Sequence, residues 1–393
     1  MALPNQRCSN SCSFCKNVSK CLSYTESARN SRKYIKTQCY LKPKSYQRKT
    51  MEILPLHLGV KNLVDSGLHK VPDIYIQSKE GRPNAVHREE SFPVLDLGAA
   101  LNSSKARAAL VSQIREACVN WGFFQVINHG VPHSLVDEMQ SVAREFHALP
   151  NEEKMRYFST DIESRMRYGT SFNITQDKVF SWRDFLRHSC LPLSEIQNLW
   201  PDKPGSYRKV TANYSTRVRN LAKFILELIS ESLDLPKDYI DKAFNGCSQV
   251  MALNFYPACP EPDLVLGIAP HSDPGSITLL LQDHVEGLQV MHGNEWYSVK
   301  PIPYSFVVNL GDQIQILSND KYKSPEHRAV VNSSEDRMSI PVAMGPSWES
   351  LVLPASELVE GSPVFKPMVY RDYMAAMQAG GLHRKWVLDA LRI

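Results

Sequence analysis

From about Gln249 onward the chain breaks into short apolar segments separated by brief turns, and this run limits the fold more than any other feature. The segments 249–255, 264–270, 276–282, 287–292, 295–300, 305–310, 312–317, 327–332 and 337–343 each read as a strand. The Gly293-Asn294 pair between two of them is a tight-hairpin signal. Short strands this closely spaced point to a sandwich or jelly roll.

The preceding stretch has a different period. Leu63 to Leu68 reads as a short amphipathic helix and Pro93 to Leu97 as a first strand. Ser103 or Ser104 can cap a helix whose apolar face is Leu110, Ile114, Ala117 and Trp121, ended by Gly122. Phe123 to Asn128 reads as a strand, and a helix follows from Pro132 to Leu149. A long helix from Tyr207 to Leu233 carries Val210, Tyr214, Val218, Leu221, Ile225 and Ile229 on one stripe. The expected class is α+β: a double-stranded β-helix, or jelly-roll, core with a mainly helical N-terminal region. The expected divisions are a leader (1–50), a mainly helical region (51–245), the jelly roll (246–350) and a helical tail (351–393).

Charge separates the leader from the body. Residues 1–50 hold eleven Lys or Arg and one acid, Glu26, for a net +10; the remainder is net −6. A body of that sign gives no reason to expect nucleic-acid binding. No stretch approaches the roughly eighteen apolar residues of a membrane-spanning helix. Five of nine cysteines also lie in the leader (Cys8, Cys12, Cys15, Cys21 and Cys39), which is not the pattern of a secreted disulfide scaffold. The leader's cysteine cluster lacks the second paired knuckle of a zinc site. Its Ser-rich, acid-poor composition suits either an organelle transit peptide or an extension outside the fold, with Met51 opening the compact part. The expected location is cytoplasmic, or the chloroplast if residues 1–50 are a transit peptide. A monomer is expected.

Within the strand-rich half stands His271-Ser272-Asp273, with His327 further on. Residues i and i+2 of a strand share a face, so His271 and Asp273 can reach one point. Two imidazoles and a carboxylate on one face of an octahedron make the triad that suits a non-haem Fe(II) centre. His87-x-Glu89 and His284-x-Glu286 compete on composition, but both read as solvated loop residues. Arg337-x-Ser339 begins ten residues after His327, and the same period puts a guanidinium and a hydroxyl on one face. A metal with open positions beside a carboxylate clamp implies an anionic co-substrate that chelates the metal at its other end, as a 2-oxo diacid would.

These motifs come in company. Asn254-Phe255-Tyr256-Pro257-Ala258-Cys259-Pro260, His271-x-Asp273, Asn309-Leu310-Gly311-Asp312, the stretch His327 to Asn332, and Arg337-x-Ser339 together resemble the plant 2-oxoglutarate/Fe(II)-dependent dioxygenase superfamily. Gly122 to Gly130 and Ser181 to Arg187 resemble that family's N-terminal region, so the likeness runs from about residue 52 to the C-terminus. The chain is similar to the branch acting on flavonoids, phenolics, hormones and alkaloids, and within it to the salicylate- and flavone-oxidising group. The resemblance implies that His271, Asp273 and His327 bind Fe(II), that Arg337 and Ser339 bind the distal carboxylate of 2-oxoglutarate, and that Tyr256 and Asn254 contact this co-substrate. It also implies O2 as oxidant, ascorbate as reductant, succinate and CO2 as co-products, and hydroxylation of a small molecule.

Pocket shape must then choose the substrate. Ala343, four residues after Ser339, stands where the family often has an aromatic, and Ala252 is small where some relatives carry a longer polar side chain. A roomy, less ionic pocket for a flat aromatic or polycyclic molecule is expected, with Phe124, Phe172 and Phe180 read either as its walls or as core. Trp182, Arg183 and Asp184 are read as pocket support or as core packing. His129 reads as structural, Asp312 as a local cap or pair, and Cys259 as an inert thiol. Two rivals are a catalytically inactive jelly roll that binds or senses a small molecule, and a cupin-type oxygenase without 2-oxoglutarate. The first is opposed by the presence of all five metal and clamp residues, the second by Arg337-x-Ser339.

Overall fold

A strand shows its odd and even residues to opposite sides, and in this chain each side meets a different environment. The computed structural model describes residues 59–84, 92–99, 103–174, 176–380 and 385–393. The leader with its cysteines, and His87-x-Glu89, lie outside the described residues. The strands are β1 Val94–Asp96, β2 Phe123–Ile127, β3 Met166–Gly169, β4 Asp184–Ser189, β5 Ser248–Tyr256 and β6 Ile268–His271. They continue as β7 Ile277–Gln282, β8 Leu288–His292, β9 Glu295–Ser298, β10 Phe306–Leu310, β11 His327–Ala329 and β12 Arg337–Gly345. The helices that matter below are α1 Gly59–Asp65, α2 Ser104–Asn120, α3 His133–Ala148, α4 Tyr207–Ser232, α5 Asp312–Leu317 and α6 Tyr370–Gly380.

The larger sheet runs β1-β2-β10-β7-β12-β5-β4-β3 and the smaller β6-β11-β8-β9. Every pair is antiparallel except β1 with β2. From β5 to β12 the chain passes repeatedly between the two sheets, which is how a jelly roll faces one against the other. Strands β3 and β4, from the region read as helical, extend this same sheet, β4 pairing onto β5 and β3 onto β4.

One face of the larger sheet packs against helices. Met251 and Leu253 of β5, Met338, Ile340, Val342 and Met344 of β12, and Ile277, Leu279 and Leu281 of β7 all enter the main core. The stripe of α4 meets them: Val210, Tyr214, Val218, Leu221, Ile225 and Ile229 are all buried there. Ser103 caps α2 as its composition predicts, its side chain accepting from the Ala106 N–H at 3.3 Å. The alternate residues, Val250, Ala252, Asn254 and Tyr256 on β5 and Arg337, Ser339, Pro341 and Ala343 on β12, line a cavity instead. No helix among the described residues is long and apolar enough to cross a membrane.

Segment 312–317, expected as a strand, is helix α5. All six of its side chains are buried, so alternation carried no information there. What decides the conformation is the loop after β6. The Asp312 N–H donates to the Asp273 carbonyl at 2.8 Å and the Gln313 N–H to the Gly275 carbonyl at 3.0 Å, satisfying the first donors of the helix. The approach is so close that a Cβ on Gly311 would stand 2.3 Å from the Gly275 carbonyl oxygen.

Candidate metal centre and cavity

His271 and His327 are direct cross-strand partners on β6 and β11, with ring centroids 4.2 Å apart. Each Nδ1 faces a backbone carbonyl, Ala269 at 2.8 Å and Pro325 at 3.4 Å. Donation from Nδ1–H leaves Nε2 with a free lone pair. The two Nε2 atoms stand 3.8 and 3.7 Å from Asp273 Oδ1. Asp273 turns its other oxygen away: Oδ2 accepts from Thr278 Oγ1 at 2.5 Å and from Asn309 Nδ2 at 2.7 Å. One ligand atom from each of the three residues lies within 4.8 Å of the others. Burial lowers His271 to about 4, with His327 adding to the effect. Burial alone would raise Asp273, but His327, His271, Asn309 and Thr278 hold it below the usual carboxylate range. Two imidazoles and a carboxylate are the donor set of a divalent iron site.

In the same cavity Arg337 is buried across from Tyr256, and Ser339 across from Asn254. Arg337 Nε donates to the Val285 carbonyl at 3.2 Å and Nη2 to Gln282 Oε1 at 2.7 Å. Nη1 is buried without a protein partner. A buried N–H left unpaired is costly, and a ligand carboxylate would satisfy it. The cavity measures about 240 Å³.

Trp182, Arg183 and Asp184 are more than packing. Trp182 Nε1 donates to the Pro257 carbonyl at 3.0 Å and Arg183 Nη1 to Asn254 Oδ1 at 3.0 Å. Asp184 accepts from the Val60 and Lys61 N–H groups at 2.7 and 3.0 Å, anchoring the start of α1. His129 is held between the Tyr304 carbonyl at 2.6 Å and the Val131 N–H at 3.2 Å, away from the triad. Asp312 is no local cap or pair: it accepts from Tyr373 at 2.8 Å and Ser272 at 3.3 Å, partners 61 and 40 positions away, and burial raises it to about 6. Burial pushes the Cys259 thiol up to about 12. His284 pairs with Glu335 at 3.7 Å on the exposed surface.

Of the proposed wall residues, Phe172, Ala252 and Ala343 line the cavity and two others do not. Phe124 points into the helical core. Its neighbour Phe123 faces the cavity, with its ring centroid 5.3 Å from that of His327. A one-residue step along a strand changes the face. Phe180 packs with Val60, Tyr75 and Trp182 in a separate small core. Arg167, Arg183 and Arg187 line the cavity as well. Sequence reasoning missed Arg167 and Arg187 as lining residues, the Asp273 supports Thr278 and Asn309, and Met374 and Gln378 of α6. Asn309 and Arg187 carried a signal, each through its motif.

The comparisons agree with this geometry. The pattern of the 2OG-Fe(II) oxygenase superfamily matches residues 247–346, and that of the non-haem dioxygenase in morphine synthesis N-terminal region matches 92–203. The chain is 46% identical to the Arabidopsis thaliana protein DMR6-like oxygenase 1 over 311 residues, covering 78% of this chain and 88% of that one. It is 42% identical to the Arabidopsis thaliana protein Downy Mildew Resistance 6 (81% and 94% covered) and 41% identical to flavanone 3-dioxygenase 2 of Oryza sativa subsp. japonica (84% and 97%). Among solved structures, that of JOX2 in complex with 2OG, Fe and JA superposes with a TM-score of 0.78 at 36% identity, covering 85% of this chain and 97% of that one. Sheet topology, donor set and these likenesses converge: the chain belongs to the 2OG-Fe(II) oxygenase superfamily and is a 2-oxoglutarate- and Fe(II)-dependent dioxygenase.

Proposed function

We propose that this enzyme hydroxylates a small aromatic metabolite or hormone, releasing succinate and CO2. In this reading His271, Asp273 and His327 hold the iron, and Arg337 with Ser339 grips the distal carboxylate of 2-oxoglutarate. Tyr256, whose ring lies 5.0 Å under the Arg337 guanidinium, and Asn254, bonded to Arg183, shape the co-substrate's side of the cavity. One observation carries the assignment: three convergent ligand atoms share a cavity with a buried guanidinium whose Nη1 has no partner. Bound iron with 2-oxoglutarate and O2 supplies the oxidising power. The chain's own residues position the reactants and keep water out, with the apolar walls Phe123, Leu280, Leu288 and Pro341 around the triad.

The relatives named for a flavanone, and the structure holding JA, support a small-molecule substrate. We place the enzyme in the cytosol as a monomer, with 1–50 outside the catalytic unit; the described cysteines, Cys118, Cys190, Cys247 and Cys259, are free thiols, as a reducing compartment requires. The test is a panel of aromatic metabolites with the full chain, Fe(II), ascorbate and 2-oxoglutarate, read by succinate release and mass spectrometry. A product one oxygen heavier is expected. Substrate binding without any 2-oxoglutarate-dependent succinate would replace this reading with that of a sensor.

A further inference from the structure

Asp312 grips the loop after β6 twice. Its backbone N–H donates to the Asp273 carbonyl at 2.8 Å, and its carboxylate Oδ2 accepts from Ser272 Oγ at 3.3 Å. Ser272 stands between His271 and Asp273 and is itself buried. The stretch carrying two of the three candidate ligands is therefore held by one residue at the start of α5.

That grip depends on a second element. Asp312 is wholly buried, and its Oδ1 has no hydrogen-bond partner. Ser324 lies near, yet neither its Oγ nor Oδ1 completes a bond. Lys385, the cation that acts on the carboxylate, is itself bonded to Gln315 Oε1 at 3.1 Å. The shortest hydrogen bond to the carboxylate comes from the Tyr373 hydroxyl, which donates to Oδ2 at 2.8 Å. A buried carboxylate that loses such a donor is poorly solvated and gains by shifting toward another.

Tyr373 belongs to α6, and this helix has a second task. Tyr373 and Met377, four residues apart, are buried in the main core. Met374 and Gln378, one step round the helix, line the cavity. One helix thus carries part of the cavity wall and, through two hydrogen bonds, holds the loop that bears Asp273.

We propose that Tyr373 is a positioning residue: through Asp312 and Ser272 it ties α6 to the loop after β6, so that filling the metal site and seating α6 against the cavity strengthen each other. This deepens the reading above and rests on His271, Asp273 and His327 being the metal ligands. The metal gains because the tie has already ordered its loop, and α6 gains by the same factor, since coupling between two equilibria is reciprocal. The loaded enzyme then offers its substrate a firmer wall than the metal-free one.

The experiment titrates Mn(II) without oxygen into the full metal-free chain of the parent, Tyr373→Phe and Tyr370→Phe. Melting curves establish folding, and amide hydrogen exchange is read over residues 370–380. Tyr373→Phe removes one hydroxyl and keeps the ring. Tyr370→Phe is the matched control, because Tyr370 is buried on the same helix but directs its hydroxyl to Ser248 on β5. Tyr373→Phe should weaken Mn(II) binding about fivefold to fiftyfold, an ordinary size for coupling between sites. Tyr370→Phe should stay within about twofold of the parent on the same scale. By reciprocity, saturating Mn(II) should slow exchange in α6 by a comparable factor in the parent and in Tyr370→Phe, and by less than about twofold in Tyr373→Phe.

Unchanged Mn(II) affinity in a folded Tyr373→Phe, an equal loss in both variants, or exchange in the parent's α6 that ignores bound Mn(II) would each overturn the tie. Should Tyr373→Phe not fold, the parent's exchange response alone decides. A parent chain that binds no Mn(II) defeats the metal-site reading instead, whereas a parent that binds it as tightly as Tyr373→Phe defeats the tie alone.

Discussion

Replacing Asn309 with alanine tests the metal centre from outside it. Asp273 has two oxygens and uses them differently. Oδ2 is held by Asn309 at 2.7 Å and Thr278 at 2.5 Å, while Oδ1 faces the imidazole nitrogens at 3.8 and 3.7 Å. Each support is a hydrogen bond to an ionised acceptor, worth about 1.5–3 kcal/mol. Losing one frees the carboxylate to rotate and raises its proton affinity, and both effects oppose the metal. At about 1.4 kcal/mol per factor of ten, divalent-metal affinity should fall roughly ten- to a hundredfold. Thr278→Val, nearly isosteric, should act in the same direction with less disturbance of packing. Because both donors hold one oxygen, the double variant should lose less than the product of the two single effects. The assay is anaerobic titration of Fe(II) or Mn(II) into each variant, with melting curves to establish folding. If both single variants fold and bind metal within about threefold of the parent, Asp273 is not oriented as argued.

Arg337→Gln should raise the KM for 2-oxoglutarate about thirtyfold or more, since truncating one partner of a buried charge pair costs roughly 2–5 kcal/mol; a KM within threefold would contradict the clamp. Ala343→Phe should exclude the larger members of a substrate panel while sparing the smallest, because Ala343 lines the cavity beside Val250 and Thr278; unchanged selectivity would count against it. Burial lowers His147 to about 3 and His188 to about 4, so both stay neutral in the fold while the unfolded chain protonates first. Stability should therefore hold above about pH 6.5 and fall below it, by up to about 1.4 kcal/mol per pH unit for each histidine until its folded pKa is reached. Urea midpoints that stay level between pH 7 and 5 would refute this.

The chemistry was legible wherever it rested on a two-residue period. Arg337 and Ser339 share a face of β12 for a local reason, Asp273 follows two residues after His271 in the loop that leaves β6, and each pair is found lining the cavity. The stripe of α4 was legible for the matching helical reason. Phe124 shows the limit of such reasoning: FFQVI is apolar on both sides, so composition cannot say which phenylalanine faces the cavity. Strands β3 and β4 were invisible because Arg167, Arg187 and Asp184 make them look polar, and it is pairing, β4 onto β5 and β3 onto β4, that makes them strands.

By itself, then, the sequence determined the His271–Asp273–His327 grouping, the shared face of Arg337 and Ser339, and the class of fold, since these depend on residue type and on spacing along the backbone. Tertiary structure decided which oxygen of Asp273 is free, that 312–317 coils into a helix against the loop after β6, and that Arg187 lines the cavity. Those outcomes depend on groups brought together from distant parts of the chain. Asn309 lies 36 positions from Asp273, and Leu253 lies 106 from the His147 ring that bonds its carbonyl. No local period encodes such meetings.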